Sequence, residues 1–150
     1  MSSSSGVLVV VTVMASENTG VPMSGPAQAG LFIYAKDLPR LAGFYESLLG
    51  MSRVHAASDL VVLHSPDIQL TLHAIPPAIA ASISISSPPD RREDAALKFF
   101  FTVPSIAEAT AKAPALGGEV LPEQWLGSGF RVCNAVDPEG NIFQIRENAA

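Results

Sequence analysis

The feature that most constrains the fold of this chain is an internal repeat. Residues 31–53 and residues 99–120 each read as an apolar strand, a proline near a break, a helical stretch ending in Leu-Gly, and the start of another strand. The Leu-Gly pairs are Leu49-Gly50 and Leu116-Gly117. A repeat of this length is the signature of one supersecondary unit built twice. The fold is therefore predicted to consist of two similar modules.

The first module reads as strand, helix and three further strands. Asp37 can cap a helix that carries Pro39 in its first turn and ends at Gly50. Apolar residues between those ends recur at spacings of three and four, as in an amphipathic helix. The strands are predicted at residues 31–35, 52–57, 60–65 and 68–75. The short linkers between the last three strands require antiparallel pairing.

The second module repeats this order after a linker at residues 76–96, which is rich in proline and charge. Ser105 is the expected cap of its helix. The predicted elements are strands at 97–103, 119–126, 130–136 and 142–146 and a helix at 106–116. The fold class is therefore α+β: two tandem βαβββ modules, at about 30–75 and 97–147, that form a curved mixed sheet with helices on its convex face.

Residues 1–29 precede the repeat and read as an N-terminal extension. Their apolar run at 7–15 is too short to span a bilayer, and no Lys or Arg precedes it as in a secretory signal. Residues 16–29 are rich in Ser, Gly and Pro and read as a loop. We expect a peripheral extension. The alternative is an added β-branched strand that pairs with an open sheet edge.

Composition limits the classes of partner. With 150 residues, 48% of them hydrophobic and 15% charged, the chain fits one globular domain with a substantial core. A net charge of −5 with scattered basic residues argues against nucleic-acid binding. Cys133 is the only cysteine, which excludes an intramolecular disulfide and favours a reducing, cytoplasmic location. A buried, inert thiol is the expected state of this residue.

All three histidines of the chain fall on one face of the first sheet. Two-residue turns would place His55 opposite Val62 and His64 opposite Gln69. The polar members of that face are Arg53, His55, His64, Gln69, Thr71 and His73. A solvated face would rarely hold three histidines without Lys, Asp or Glu, so this face predicts a lined cavity, with a half-wet surface as the alternative.

The same register predicts that the three histidines cannot converge on one metal ion. His55 and His64 lie diagonally on adjacent strands, and His73 is displaced along the sheet from His64. Metal ligands must approach within about 2.0–2.2 Å of one point. A site with two histidines and one further donor remains the alternative. Uncharged polar lining of a pocket is the expected role.

Two motifs carry a family resemblance. Residues 35–50 resemble the first-module signature of the glyoxalase/bleomycin resistance protein/extradiol dioxygenase (vicinal oxygen chelate) superfamily. Residues 137–145, DPEGNIFQI, resemble the turn and final strand that close the second module in that superfamily. Together with the repeat, the resemblance covers about residues 30–147. These motifs are specific for the fold and carry no information about the reaction.

The resemblance implies where the metal ligands of the superfamily would fall. The four positions map to Gly30, Thr71, Lys98 and Gln144. Gly30 has no side chain, Lys98 would have to lose its proton, and Thr71 is a poor neutral ligand. Only Gln144 offers a coordinating amide oxygen. The resemblance therefore implies a cup without the superfamily's metal, and we expect no cofactor.

The same alignment implies an aromatic and cationic lining for the cup. Alternation along the strands places aromatic and cationic side chains inside the cup, together with the polar residues named above. The predicted ligand-binding residues are Phe32, Tyr34, Arg53, His55, His64, Gln69, Thr71, His73, Lys98, Phe100, Trp125, Gln144 and Arg146. Lys98 and Arg146 would suit a carboxylate, phosphate or phenolate. The alternatives are core packing for each aromatic ring and a solvent-directed side chain for Lys98.

The leading hypothesis is a protein that binds a small organic molecule, anionic or aromatic, in the manner of drug-sequestering members of the superfamily. We expect a homodimer, and neither nucleic acid nor membrane as partner. The alternative is a metal-independent isomerase or lyase with a histidine or Tyr34 as general base and Lys98 or Arg146 as the electrophilic group. Two further hypotheses remain. One is a metal-dependent lyase or dioxygenase with histidine ligands, and the other is a pure interaction module.

Overall fold

A computed structural model describes residues 27–149 of the chain. The predicted extension at 1–29, with its alternative as an edge strand, lies almost entirely outside the described residues and stays a prediction. No helix within 27–149 is long and apolar enough to cross a membrane.

The first module has the predicted order of elements. They are β1 (Gly30–Ala35), α1 (Leu38–Leu49), β2 (Ser52–Ala56), β3 (Leu60–His64) and β4 (Gln69–Ala74). The side chain of Asp37 caps α1 by accepting a hydrogen bond from the backbone N–H of Arg40. Gly50 ends the helix in the left-handed conformation, with φ at 62°. Both predicted helix ends are therefore confirmed.

The linker between the modules contains one short helix, α2 (Pro77–Ala80), which the sequence pattern did not predict. Proline at the first helical position presets the backbone angle that such a turn needs. The ammonium group of Lys36 donates hydrogen bonds to the backbone carbonyls of Ala80 and Ile83. A side chain from the first module therefore fixes the C-terminal end of α2.

The second module repeats the order with one change in its helix. Its elements are β5 (Phe100–Thr102), α3 (Ile106–Lys112), β6 (Glu119–Gly127), β7 (Phe130–Val136) and β8 (Ile142–Asn148). Ser105 caps α3 as predicted, but residues Ala113–Leu116 form a 3₁₀ turn instead of continuing the helix. Pro114 has no N–H to donate to the preceding turn, so the α-helical pattern ends before it.

The strands form two four-stranded mixed sheets, ordered β1-β4-β3-β2 and β5-β8-β7-β6. In each sheet the first pair is parallel and the other pairs are antiparallel. One core packs the helices against both sheets, with Phe44 of α1 meeting Phe143 of β8 edge to face at 6.0 Å between ring centroids. Each sheet therefore has a helix face, which packs on this core, and an opposite face, which we call the open face. On the open face of the first sheet, Leu60 and Val62 form a second, small buried cluster.

The turn after β7 joins the two modules by hydrogen bonds that are buried or partly buried. The carboxylate of Asp137, which is fully buried, accepts a hydrogen bond of 2.7 Å from the hydroxyl of Tyr45 in α1. The carboxylate of Glu139 accepts hydrogen bonds from the backbone N–H groups of Lys36 and Asp37, at 2.9 and 2.8 Å. These contacts hold the start and the middle of α1 against the second module, and we call them the Asp137 clamp.

The buried tyrosine of the clamp should make the fold sensitive to alkali. Burial, the charge of Asp137 and the hydrogen bond to Asp137 raise the pKa of Tyr45 well above its ordinary value of 10.0. Above that value the unfolded chain loses the phenolic proton while the folded chain keeps it, so the free energy of unfolding falls as pH rises. In Tyr45→Phe this part of the decline should be absent.

Urea unfolding of wild type and Tyr45→Phe at pH 8, 9.5 and 11 measures the effect. We expect the variant to be less stable at pH 8 by about 1.5–3 kcal/mol, since it lacks a hydrogen bond to a carboxylate. The gap should narrow as pH rises above 10. Lysines titrate in the same range in both proteins, and the difference between the curves removes their contribution. Parallel curves between pH 8 and 11 would contradict the prediction.

Candidate ligand-binding site

The open face of the first sheet has most of the predicted register. His55 lies opposite Val62, His64 opposite Gln69, and Thr71 opposite Val62. The first two of these cross-strand pairs were predicted from two-residue turns. Because directly opposed residues in a sheet share a face, these side chains all lie on the open face.

The prediction that Arg53 shares this face is wrong. The register between β2 and β3 shifts after Arg53, which lies opposite Leu63 on the helix face, while Ser52 lies opposite His64. A bulge inserts one residue and so reverses which face the residues before it occupy. The Nε atom of Arg53 lies 3.0 Å from a carboxylate oxygen of Glu46 in α1. Arg53 therefore forms an ion pair with α1 instead of lining the cup as predicted.

The histidines of this face do not form a metal centre with one another. His73 lies opposite Leu60, His64 lies opposite Gln69 at the other end of β3, and His55 lies on β2. Among residues 27–149, no group of three or more His, Cys, Asp or Glu side chains is arranged to hold a metal ion. The three histidines therefore lie apart from one another, as the register predicted.

His73 belongs to an aromatic cluster at the parallel edge of the first sheet. Its ring stacks on Phe32 at 6.1 Å between centroids and meets Tyr34 edge-on at 6.0 Å. Its Nδ1 lies 2.7 Å from the backbone carbonyl oxygen of Ala74. A neutral ring that donates from Nδ1 to this carbonyl keeps its lone pair on Nε2, where it can accept a proton or a hydrogen bond.

On the open face of the second sheet, Arg146 occupies the position that His73 occupies on the first. The guanidinium carbon of Arg146 lies 3.7 Å from the ring centroid of Phe100 and 4.5 Å from that of Phe130. Trp125 lies opposite Val132, which lies opposite Arg146, so Trp125 shares this face and is 43% exposed. Phe130 was not among the predicted site residues. Strict alternation back from Val132 along β7 would have identified it.

Three buried polar atoms on the open faces have no hydrogen-bond partner among the described residues. They are Nε2 of His55, Oδ1 of Asn134 and Nε of Arg146. Asn134 lies opposite Gln144 on the second open face. Asn134 was not among the predicted site residues, although its place opposite Gln144 was the available signal. A buried polar atom left unpaired costs about 1–3 kcal/mol, and these three atoms lie on two different sheets, one on the first and two on the second.

Two of the four positions aligned with metal ligands are related by the repeat. Thr71 lies beside Phe32 in the parallel pair of the first sheet, and Gln144 lies beside Phe100 in that of the second. Thr71 and Gln144 therefore occupy equivalent places in the two modules, as the alignment implied.

The side chains at these positions do not fit the usual oxygen and nitrogen donor set of a divalent metal. Gly30 has no side chain, and the ammonium of Lys98 has no lone pair. The hydroxyl of Thr71 already accepts a hydrogen bond of 3.3 Å from the amide of Gln69. Only Gln144 offers an oxygen ligand.

Two tandem βαβββ modules packed on one core, with aromatic and polar side chains on the sheet faces away from the helices, define the class of fold. The model of the glyoxalase-like domain matches residues 30–146, and the chain therefore belongs to this family. No curated protein matches the chain in sequence.

Solved structures with the same fold cover nearly all of the described residues. A glyoxalase/bleomycin resistance protein/dioxygenase family enzyme from Burkholderia phytofirmans is 16% identical over 82% of this chain and 99% of its own, with a TM-score of 0.56. A glyoxalase-related enzyme from Fulvimarina pelagi is 18% identical over 80% and 86%, with a TM-score of 0.58. A genomically encoded fosfomycin resistance protein from Listeria monocytogenes is 17% identical over 85% and 93%, with a TM-score of 0.54. At these identities the similarity establishes the fold alone.

Proposed function

We propose that this protein binds a small organic molecule with aromatic and anionic parts on the open faces of its two sheets, without the metal of the superfamily. The observation that carries the proposal is the set of unpaired buried atoms of His55, Asn134 and Arg146, all on these faces. A ligand that presents both donors and acceptors would satisfy them. A small-molecule binding role is also consistent with the structural similarity to a glyoxalase/bleomycin resistance protein/dioxygenase family enzyme and to a fosfomycin resistance protein.

The aromatic part of the ligand is inferred from the exposure of the rings. Phe32 is 46% exposed, Phe100 49% and Trp125 43%, although core packing would bury such side chains. Offset stacking on aromatic rings contributes about 0.5–1.5 kcal/mol per pair beyond the buried area. Exposed rings beside unpaired polar atoms favour a planar ligand over a purely aliphatic one.

The binding proposal makes a prediction about two arginines. A screen of small aromatic acids by saturation-transfer NMR should give the same binders for wild type and Arg53→Met, because Arg53 pairs with Glu46 on the helix face. Arg146→Met should weaken the binders about tenfold or more, since it removes a guanidinium from the open face. Both variants lose one arginine, so net charge is matched. Equal loss in the two variants would contradict the proposal.

The metal part of the proposal is tested by native mass spectrometry with elemental analysis of the same sample. We expect no divalent metal at one per chain, since three of the four aligned positions lack a suitable donor. One tightly held metal per chain would overturn this part of the proposal. A retained organic mass would identify the ligand directly. The same spectra test the proposed homodimer.

A second candidate function is metal-independent acid–base catalysis, and the hydrogen bond of His73 favours it. The contact of Nδ1 with the Ala74 carbonyl fixes the ring with Nε2 free to act as a base beside Tyr34. Turnover of a bound ligand that is lost in His73→Gln, with binding retained, would support an isomerase or lyase over a binding protein.

A further inference from the structure

A pocket of about 250 Å³ lies between the end of the linker and the open face of the second sheet. Arg91 and Arg92 wall it from the linker, and Lys98, Asn134 and Ile142 line it from the module. Ligand pockets for whole drug-sized molecules measure about 300–1,000 Å³. The smaller volume suits one functional group of a ligand rather than a complete ligand.

The linker wall is held in place by backbone contacts. The N–H of Arg92 donates a hydrogen bond of 2.9 Å to the carbonyl of Gly140, in the turn before β8. The carbonyl oxygen of Asp90 lies so close to Gly140 that an added Cβ would stand 2.0 Å from it. The pocket is therefore bounded by two fixed segments.

Two of the three cations of the pocket are already bonded, and Lys98 is the exception. Arg91 makes an ion pair of 2.8 Å with Glu119, and Nε of Arg92 donates to the carbonyl of Glu139 at 3.3 Å. Glu93 also lines the pocket and partly offsets its positive charge. Lys98 makes no hydrogen bond or ion pair with another residue of 27–149, and its ammonium remains to meet a ligand.

The floor of the pocket contains a polar atom without a hydrogen-bond partner. It also contains apolar surface. Oδ1 of Asn134 is buried without a hydrogen bond, and Ile142 and Leu121 supply aliphatic surface around it. Lys98 is exposed, so its ammonium is accessible to a ligand that enters the pocket. Asn134 would pair with an O–H or N–H carried beside the anionic group.

The pocket adjoins the aromatic part of the open face. Asn134 lies opposite Gln144, and Gln144 lies beside Phe100, which stacks on Arg146. From this geometry we infer that the pocket binds the carboxylate or phosphate of an aromatic organic acid, with Lys98 as the cation that meets it and the ring lying toward Phe100. The inference rests on the proposed binding function and names the chemical class of its ligand.

The test compares two anionic probes, benzoate and phenyl phosphate, with two neutral ones, benzamide and benzyl alcohol. Dissociation constants are measured by titration calorimetry for wild type, Lys98→Met and Lys112→Met. Lys112→Met is the control, because it removes the same charge from α3, where the ammonium of Lys112 bonds to the carbonyl of Ser47. Circular dichroism verifies that each variant is folded.

We expect wild type and Lys112→Met to bind the anions at least tenfold more tightly than the neutral probes. Lys98→Met should lose that preference and keep its affinity for the neutral probes. Equal binding of anions and neutral probes by wild type would overturn the inference and leave the binding function standing. A preference for anions that is undiminished in Lys98→Met would also overturn the inference and leave the binding function standing. If none of the four probes bound at millimolar concentration, the binding function and this inference would both fall.

Discussion

Replacing Asp137 with alanine is expected to lower the free energy of unfolding by about 3–5 kcal/mol. The carboxylate accepts hydrogen bonds from the Tyr45 hydroxyl at 2.7 Å and the Glu139 N–H at 2.8 Å. It also accepts two from Asn141, at 3.0 Å from the backbone and 2.8 Å from the side chain. Alanine leaves these donors in a site where the residue is fully buried, and each buried donor without a partner costs about 1–3 kcal/mol.

Urea unfolding followed by circular dichroism measures the loss, and Asp94→Ala provides the control. Asp94 is exposed in the linker, so its replacement should change stability by less than about 0.5 kcal/mol. A similar small change in Asp137→Ala would show that the clamp does not hold α1 to the second module. Burial raises the pKa of Asp137, while its hydrogen bonds oppose that shift. The comparison is therefore made at pH 7–8, above the ordinary range of a carboxyl group.

Replacing Gly140 with alanine should be the second most damaging change, at about 2–5 kcal/mol. Two effects combine in this variant. Gly140 has a φ of 89°, in the left-handed region that costs an alanine about 1–2 kcal/mol. The new Cβ would also stand 2.0 Å from the carbonyl oxygen of Asp90, and displacing that backbone adds about 1–3 kcal/mol, as overpacking does.

Gly129→Ala is a matched control for this prediction. Its φ is 81°, but nothing lies within 4 Å of an added Cβ, so it carries the conformational strain without the clash. The difference between the two variants in thermal unfolding isolates the contact between the linker and the Gly140 turn. Gly140→Ala should also speed limited proteolysis of residues 84–96. Equal stability loss and equal proteolysis in both variants would mean that the linker is not seated on this turn.

Much of the fold followed from local patterns. The caps at Asp37 and Ser105, the helix end at Gly50 and the pairing of His55 with Val62 were all predicted and are confirmed. Each depends on residues close together in the chain, where spacing alone fixes the geometry. The 3₁₀ turn that starts at Ala113 was missed, although Pro114 carried its signal.

The placement of Arg53 shows why part of the site could not be predicted. Strict alternation assigned it to the histidine face, but a bulge in β2 turns it toward Glu46. Nothing in the segment SRVHA marks that bulge, because its neighbours on β3 and α1 decide it. Asn134 was missed for a related reason, since its importance lies in a missing partner that only packing reveals.

The sequence by itself determined the repeat, the order of the elements and the family. These follow from residue type and from spacing within each module. Only the tertiary structure decided that Lys98 lines a pocket with the linker and that Arg146 lies between two rings. It also decided which polar atoms remain unpaired. Those properties depend on contacts between segments far apart in the chain, and no local pattern encodes the distance between them.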